Sequence, residues 1–347
     1  MIPVSVDGLQ SNEIKAIKIS SSSWQKQLAT AFKSASELLH YLNIDPNKTD
    51  FITNEDAGFV LRVPKAFADL MNKGDKDDPL LQQVMIKQSE LLLTEGYLAD
   101  PLQEASFNPT PGLIHKYGNR ALLIAHQSCA VHCRYCFRRH FPYDQQQLRQ
   151  TELEQALDYL KQRPEITEVI LSGGDPLNLS DRRLEQLIST LDQLPNLTTI
   201  RIHSRTPVVV PDRISPELID TFARVKKKIV LVLHINHSNE IGTALAQKLP
   251  ALTKVGVTLL NQSVLLRGVN DNAQTLIELS NTLWQNNILP YYLHLLDPVQ
   301  GAAHFNIEQS TANTLWQALQ SSVSGYLLPR LVREVPEKSS KTWTNPT

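Results

Sequence analysis

Apolar positions follow two different rhythms along the chain. Up to residue 110 they recur at helical spacing. In SWQKQLATAFKSASELLHYLN (23–43), Trp24, Leu28, Phe32, Leu38 and Leu42 fall on one side of a helix that starts after a serine run and breaks at Asp45-Pro46. PKAFADLMNKG (64–74) and PLLQQVMIKQSELLL (79–93) predict two more helices, and the stretch up to Pro111 reads as loop. From residue 120 short aliphatic and β-branched runs alternate with helical ones. ALLIA (121–125), TEVILS (167–172), TTIRIHS (198–204), IVLVLHI (229–235), VTLLNQSV (257–264) and YYLHLL (291–296) predict strands. Between them TELEQALDYLKQ (151–162), DRRLEQLISTLDQL (181–194) and SPELIDTFARVKK (215–227) predict helices, with weaker spacings around 241–254 and 273–286.

Strands separated by helices pair in parallel through right-handed crossovers. The pattern therefore predicts an α/β fold, a partial (β/α)6 barrel preceded by an N-terminal helical region, with reactive groups at the carboxyl ends of the strands. Three stretches follow: 1–110 as the helical region, 111–305 as the barrel, and 306–347 as a C-terminal helix and tail.

Charge removes some functions from consideration. With 34 Lys+Arg against 35 Asp+Glu the formal net charge is −1, so no basic excess exists to hold nucleic acid. No run approaches the roughly 18–20 apolar residues of a membrane helix, and MIPVSVDGLQ lacks the basic start and apolar run of a signal peptide; a cytoplasmic protein is expected. The 3 cysteines, Cys129, Cys133 and Cys136, all lie in CAVHCRYCFRR (129–139), directly after the first barrel strand. That clustering argues for a metal centre and against a disulfide framework. A structural zinc needs a fourth ligand, which His132 or His140 can supply. Three thiolates on a [4Fe–4S] cube instead leave one iron open to a substrate or cofactor, and the spacing favours that reading.

The C-x3-C-x2-C pattern with Tyr135 before its last cysteine resembles the signature of the radical S-adenosylmethionine (SAM) family. KYGNR (116–120), LSGGDPL (171–177), SRTPVV (204–209), HINHSNE (234–240), QSVLLRGVND (262–271), LLDPVQGAAHF (295–305) and KT at 341–342 narrow the resemblance to the lysine 2,3-aminomutase family. It covers most of the chain after residue 110. It implies three cofactors: a [4Fe–4S] cluster on Cys129, Cys133 and Cys136, SAM, and pyridoxal 5′-phosphate (PLP). By resemblance, Ser172, Gly173, Gly174, Asp175, Ser204, Arg205, His234 and Gln262 surround SAM, with Asp175 on the methionine amino group and Arg205 on its carboxylate or ribose. Lys341 carries PLP, with Lys338 as its rival, while Lys116, Tyr117 and Arg120 hold the PLP phosphate and ring. Arg138 binds the substrate α-carboxylate, and Asp297 with Glu334 binds a distal ammonium.

The activity so implied moves the α-amino group of L-lysine to the β-carbon, with the electron supplied by a flavodoxin- or ferredoxin-type reductant. The chain ends at Thr347, soon after Lys341, which resembles the short bacterial branch whose (R)-β-lysine is attached to elongation factor P. An aminomutase for glutamate or arginine is the near alternative, and a noncatalytic zinc or iron–sulfur protein is the alternative from another class.

Overall fold

The computed structural model describes residues 24–53 and 60–344. Nine strands form one sheet in chain order: β1 (Leu113–Tyr117), β2 (Arg120–His126), β3 (Glu168–Gly173), β4 (Thr199–Ser204), β5 (Lys228–Leu233), β6 (Thr258–Val264), β7 (Leu289–His294), β8 (Arg330–Arg333) and β9 (Thr342–Trp343). β2 through β8 run parallel; β1 and β9 close the two edges antiparallel. The six expected strands are β2 to β7. The seventh parallel strand, β8, escapes a hydrophobicity pattern because only Leu331 and Val332 are buried between two arginines.

Helices pack on one face of this sheet. Asp181–Asp192 buries Leu184, Leu187, Ile188 and Leu191, the i, i+3, i+4, i+7 stripe of an amphipathic helix. Asn272 caps Ala273–Gln285 by accepting from Thr275 N at 2.9 Å. The main core lies between these helices and the outward residues Val169 and Leu171 of β3, Ile200 and Ile202 of β4, and Leu231 and Leu233 of β5. Side chains alternate along a strand, so the intervening positions point inward. Several of those are polar: Ser172, Arg201, His203, Gln262, Tyr292 and His294 line the interior cavity beside the apolar Leu122, Ile170 and Val264.

The N-terminal region departs from its expected helices. The helix predicted over 23–43 is two, Trp24–Ala29 and Ala35–Tyr41, because Phe32 leaves the helix to pair with Val63, N to O at 2.8 Å and back at 3.0 Å. In 64–74 only Lys65–Ala68 is helical. In 79–93 the helix is Pro79–Gln82, capped by Asp78, since Ile86 and Gln88 are drawn into backbone bonds with Ile52 and Asp50. Tertiary pairing overrides local helical spacing in each case. This region buries its own apolar cluster, including Leu38, Phe67, Leu80 and Met85, and that cluster reaches Ala130 and Val131 of the cysteine loop and Val209 and Val210 after β4. Among the described residues no helix is long and apolar enough to cross a membrane.

Candidate active site

A cavity of about 270 Å³ opens at the carboxyl ends of the parallel strands. Cys129, Cys133 and Cys136 enter it from the loop after β2 as half-buried thiols. Two backbone bonds pin that loop to the N-terminal region, His132 N to Arg62 O at 3.1 Å and Arg134 N to Gln83 O at 2.9 Å. Burial raises the Cys129 thiol well above its ordinary range and the Cys136 thiol to about 11, and the neighbouring cysteines add to both. Among the described residues no three His, Cys, Asp or Glu side chains are set to close on a single ion. A cubane presents its irons at separate corners, so three thiols spread round one loop suit it better than a bare ion.

The glycine pair after β3 is a packing requirement. Gly173 has φ +113°, and a Cβ on Gly174 would stand 2.7 Å from Gln127 C and Ser128 O, the backbone leading into Cys129. Asp175 is buried, and its oxygens accept from Leu177 N at 2.9 Å, Ser204 Oγ at 2.7 Å, Arg205 N at 2.8 Å and Thr206 N at 2.9 Å. The carboxylate expected to receive an ammonium thus ties the β3 loop to the β4 loop.

Arg205 is similarly engaged. Its Nη1 donates to Cys133 Sγ and to Tyr135 Oη, both at 2.8 Å, and its Nη2 donates to Gln83 Oε1 at 2.6 Å and Glu240 Oε2 at 2.9 Å. It belongs to the wall behind the cysteine loop. Arg205 nonetheless lines the cavity, as do Asp175, Ser204, His234 and Gln262. Burial, with the charges of Arg205, Arg138 and Lys341, lowers His234 to about 4, so it is neutral near pH 7, and its Nε2 lies 3.2 Å from His203 Nδ1.

At the far edge, β9 pairs with β8 and carries Lys341 to the cavity, while Lys338 is exposed. Glu334 gathers the cations there. Its Oε2 accepts from Lys341 Nζ at 2.8 Å, and its Oε1 accepts from Lys116 Nζ at 2.6 Å and from the Tyr117 hydroxyl. Burial alone would raise this carboxyl, but the Lys341 charge and the three hydrogen bonds outweigh it and bring Glu334 to about 2. Arg120 stacks over the Tyr117 ring with its guanidinium carbon 4.2 Å from the centroid. Two cations, a phenol and an aromatic face beside Lys341 suit an anionic planar cofactor such as PLP.

Asp297, after β7, is the open acid. Its Oδ1 is buried without a hydrogen-bond partner among the described residues, and burial raises the group to about 7, with Lys341 opposing and Glu334 and Glu104 reinforcing the shift. Gln262 Oε1 and the Nε2 atoms of His203 and His294 are likewise buried and unpartnered. Buried polar atoms of this kind are normally satisfied, so four at one cavity mark a ligand site. Arg138 lies in the same cavity, gripped by Glu104.

Glu104, His203 and His294 were not among the residues expected from sequence. The two histidines sit at alternate strand positions, IRIH and YYLH, where a polar residue every second place signals a strand face turned away from the apolar core. Glu104 stands in a stretch that carries no periodic signal at all.

Residues 123–279 match the Radical SAM superfamily, the class that the barrel and the three-cysteine loop define. The chain is 49% identical to L-lysine 2,3-aminomutase of Escherichia coli (strain K12) over 92% of this chain and 93% of that protein, and 47% identical to the Haemophilus influenzae protein of the same name over 92% and 94%. A Clostridium subterminale L-lysine 2,3-aminomutase is 33% identical over 92% of this chain and 77% of its own length. The chain belongs to the L-lysine 2,3-aminomutase family.

Proposed function

We infer that this chain is an isomerase that converts L-lysine to β-lysine by moving the α-amino group to the β-carbon. The observation that carries the inference is the meeting of three thiols, Arg138, Lys341 and the open carboxylate of Asp297 in one cavity. When bound, the [4Fe–4S] cluster with SAM supplies a hydrogen-abstracting radical, and PLP supplies a conjugated system across which nitrogen can migrate.

The protein's part is to align and to exclude water. Cys129, Cys133 and Cys136 hold the cluster. The Ser172–Asp175 turn, Ser204, His234 and Gln262 frame SAM, while Asp175 and Arg205 keep the two flanking loops and the cluster wall in register. Lys341 holds PLP, with Lys116, Tyr117 and Arg120 at its anionic end. Arg138 takes the substrate α-carboxylate and Asp297 the ε-ammonium, while Glu334, expected to share the ammonium, is instead taken up by Lys341, Lys116 and the Tyr117 hydroxyl and anchors the cations beside the cofactor.

A buried, unpartnered acid at the distal position favours a cationic side chain over glutamate. Anaerobic reconstitution with iron, sulfide, PLP, SAM and dithionite, followed by chromatography of products from lysine, arginine and glutamate, tests this. β-Lysine is the expected product; preference for glutamate would refute the substrate assignment. The same reading places the enzyme in the cytoplasm, fed by a flavodoxin- or ferredoxin-type reductant, with (R)-β-lysine passing to elongation factor P. Incubation of elongation factor P with its ligase and the enzyme's product should add the mass of one β-lysyl group.

A further inference from the structure

We propose that Glu104 is the positioning residue for Arg138, holding one edge of the guanidinium so that its tip is presented to the α-carboxylate of the amino-acid substrate. The proposal rests on the reading above that Arg138 receives that carboxylate.

Glu104 opens a short turn, Glu104–Phe107, before β1. Gln103, just before it, has φ +52° and ψ +41°, a left-handed conformation that non-glycine residues seldom adopt and that tends to persist only where surrounding structure enforces it. From this turn both carboxylate oxygens reach Arg138. Arg138 Nε donates to Oε2 at 2.8 Å and Nη2 donates to Oε1 at 2.6 Å, with the two side chains only 5% and 13% exposed. Nη1 donates to Ser172 Oγ at 3.0 Å and faces Gly173 O at 3.4 Å.

A guanidinium has five N–H groups in a rigid plane. Glu104 uses one on Nε and one on Nη2, and Nη1 is turned to the β3 loop, so the second N–H of Nη2, at the tip, is left for a ligand. The plane is fixed from two sides before any substrate arrives. Pre-organised donors of this kind cost little to bring to a carboxylate.

Glu104 could instead be a plug that the substrate carboxylate expels. Expulsion would break both Arg138 bonds and part the carboxylate from the only cation it is bonded to among the described residues. The two roles predict opposite signs. A positioning residue strengthens substrate binding, whereas a plug weakens it.

The test is calorimetric titration of the reconstituted holoprotein with L-lysine and with L-lysinamide, in which an amide replaces the carboxylate. In Glu104→Gln the lysine dissociation constant should rise by about tenfold or more, with that for lysinamide little changed, and Glu104→Asp should recover part of the loss. Unchanged or tighter lysine binding in Glu104→Gln would overturn the proposal, as would equal weakening for both ligands. Should Glu104→Gln fail to fold, Glu104→Asp carries the same comparison, and equal affinity to the native protein for lysine would overturn it. The native protein serves as the separate control: if it binds lysine and lysinamide equally well, Arg138 holds no carboxylate, and the substrate reading fails.

Discussion

Lys341 reaches back to Glu334, its Nζ donating to Oε2 at 2.8 Å, and Lys116 holds the other oxygen of the same carboxylate at 2.6 Å. One acid therefore assembles the lysine that directly precedes the C-terminal strand and the cation of the first strand. The β8–β9 pairing supplies the scaffold, with Arg333 opposite Thr342. Borohydride reduction of the PLP-loaded enzyme and peptide mapping should place the pyridoxyl group on Lys341, and Lys341→Ala should lose the cofactor absorbance. A label on exposed Lys338 would contradict the assignment. Glu334→Gln removes the anchor shared by Lys116, Tyr117 and Lys341, so its PLP content after dialysis should fall below that of the native protein.

Asp297 should show in the pH dependence of substrate binding. Its raised value of about 7 comes from burial, and only the ionised form attracts an ammonium. The lysine side chain stays charged throughout the range, so the affinity for lysine should be full above pH 7 and fall by about tenfold per unit as pH drops below it. Asp297→Asn should flatten that profile and weaken lysine binding by about one to two orders of magnitude, since a charge-assisted bond is worth about 1.5 to 3 kcal/mol. A native profile flat from pH 6 to 8 would count against Asp297 as the ammonium partner.

Gly174→Ala tests the link between the β3 turn and the cysteine loop. A Cβ there would stand 2.7 Å from Ser128 O, and backbone cannot yield as a side-chain tip can. The substitution should lower the iron and sulfide bound per chain after anaerobic reconstitution, while PLP content, set at the opposite edge of the cavity, stays near native. A full complement of iron in this variant would show that the two loops move independently.

Much of the barrel was legible because its outward strand residues and inward helix residues obey simple periods: Val169, Leu171, Ile200 and Ile202 alternate, and Leu184, Leu187, Ile188 and Leu191 repeat as a helix. That the three cysteines share one loop at the end of the first barrel strand was legible from their spacing. The N-terminal helices were not, because Phe32 and Ile86 are taken by partners distant in sequence, a choice that local spacing does not encode. The engagement of Asp175 by four donors was hidden for the same reason. Motif position brings Asp175 and Arg205 to the right end of the barrel, but which atoms they meet depends on loops converging from β3, β4 and the N-terminal region.

In the proposed reaction nitrogen moves from the α- to the β-carbon of lysine. The anaerobically reconstituted enzyme should be given L-lysine labelled with 15N at the α-amino group, and the product examined by NMR and mass spectrometry. The expected result is β-lysine with the label on its β-carbon and an unlabelled ε-nitrogen. Lysine recovered unchanged from enzyme with full cluster, SAM and PLP, or a product whose label has stayed on the α-carbon, would contradict it.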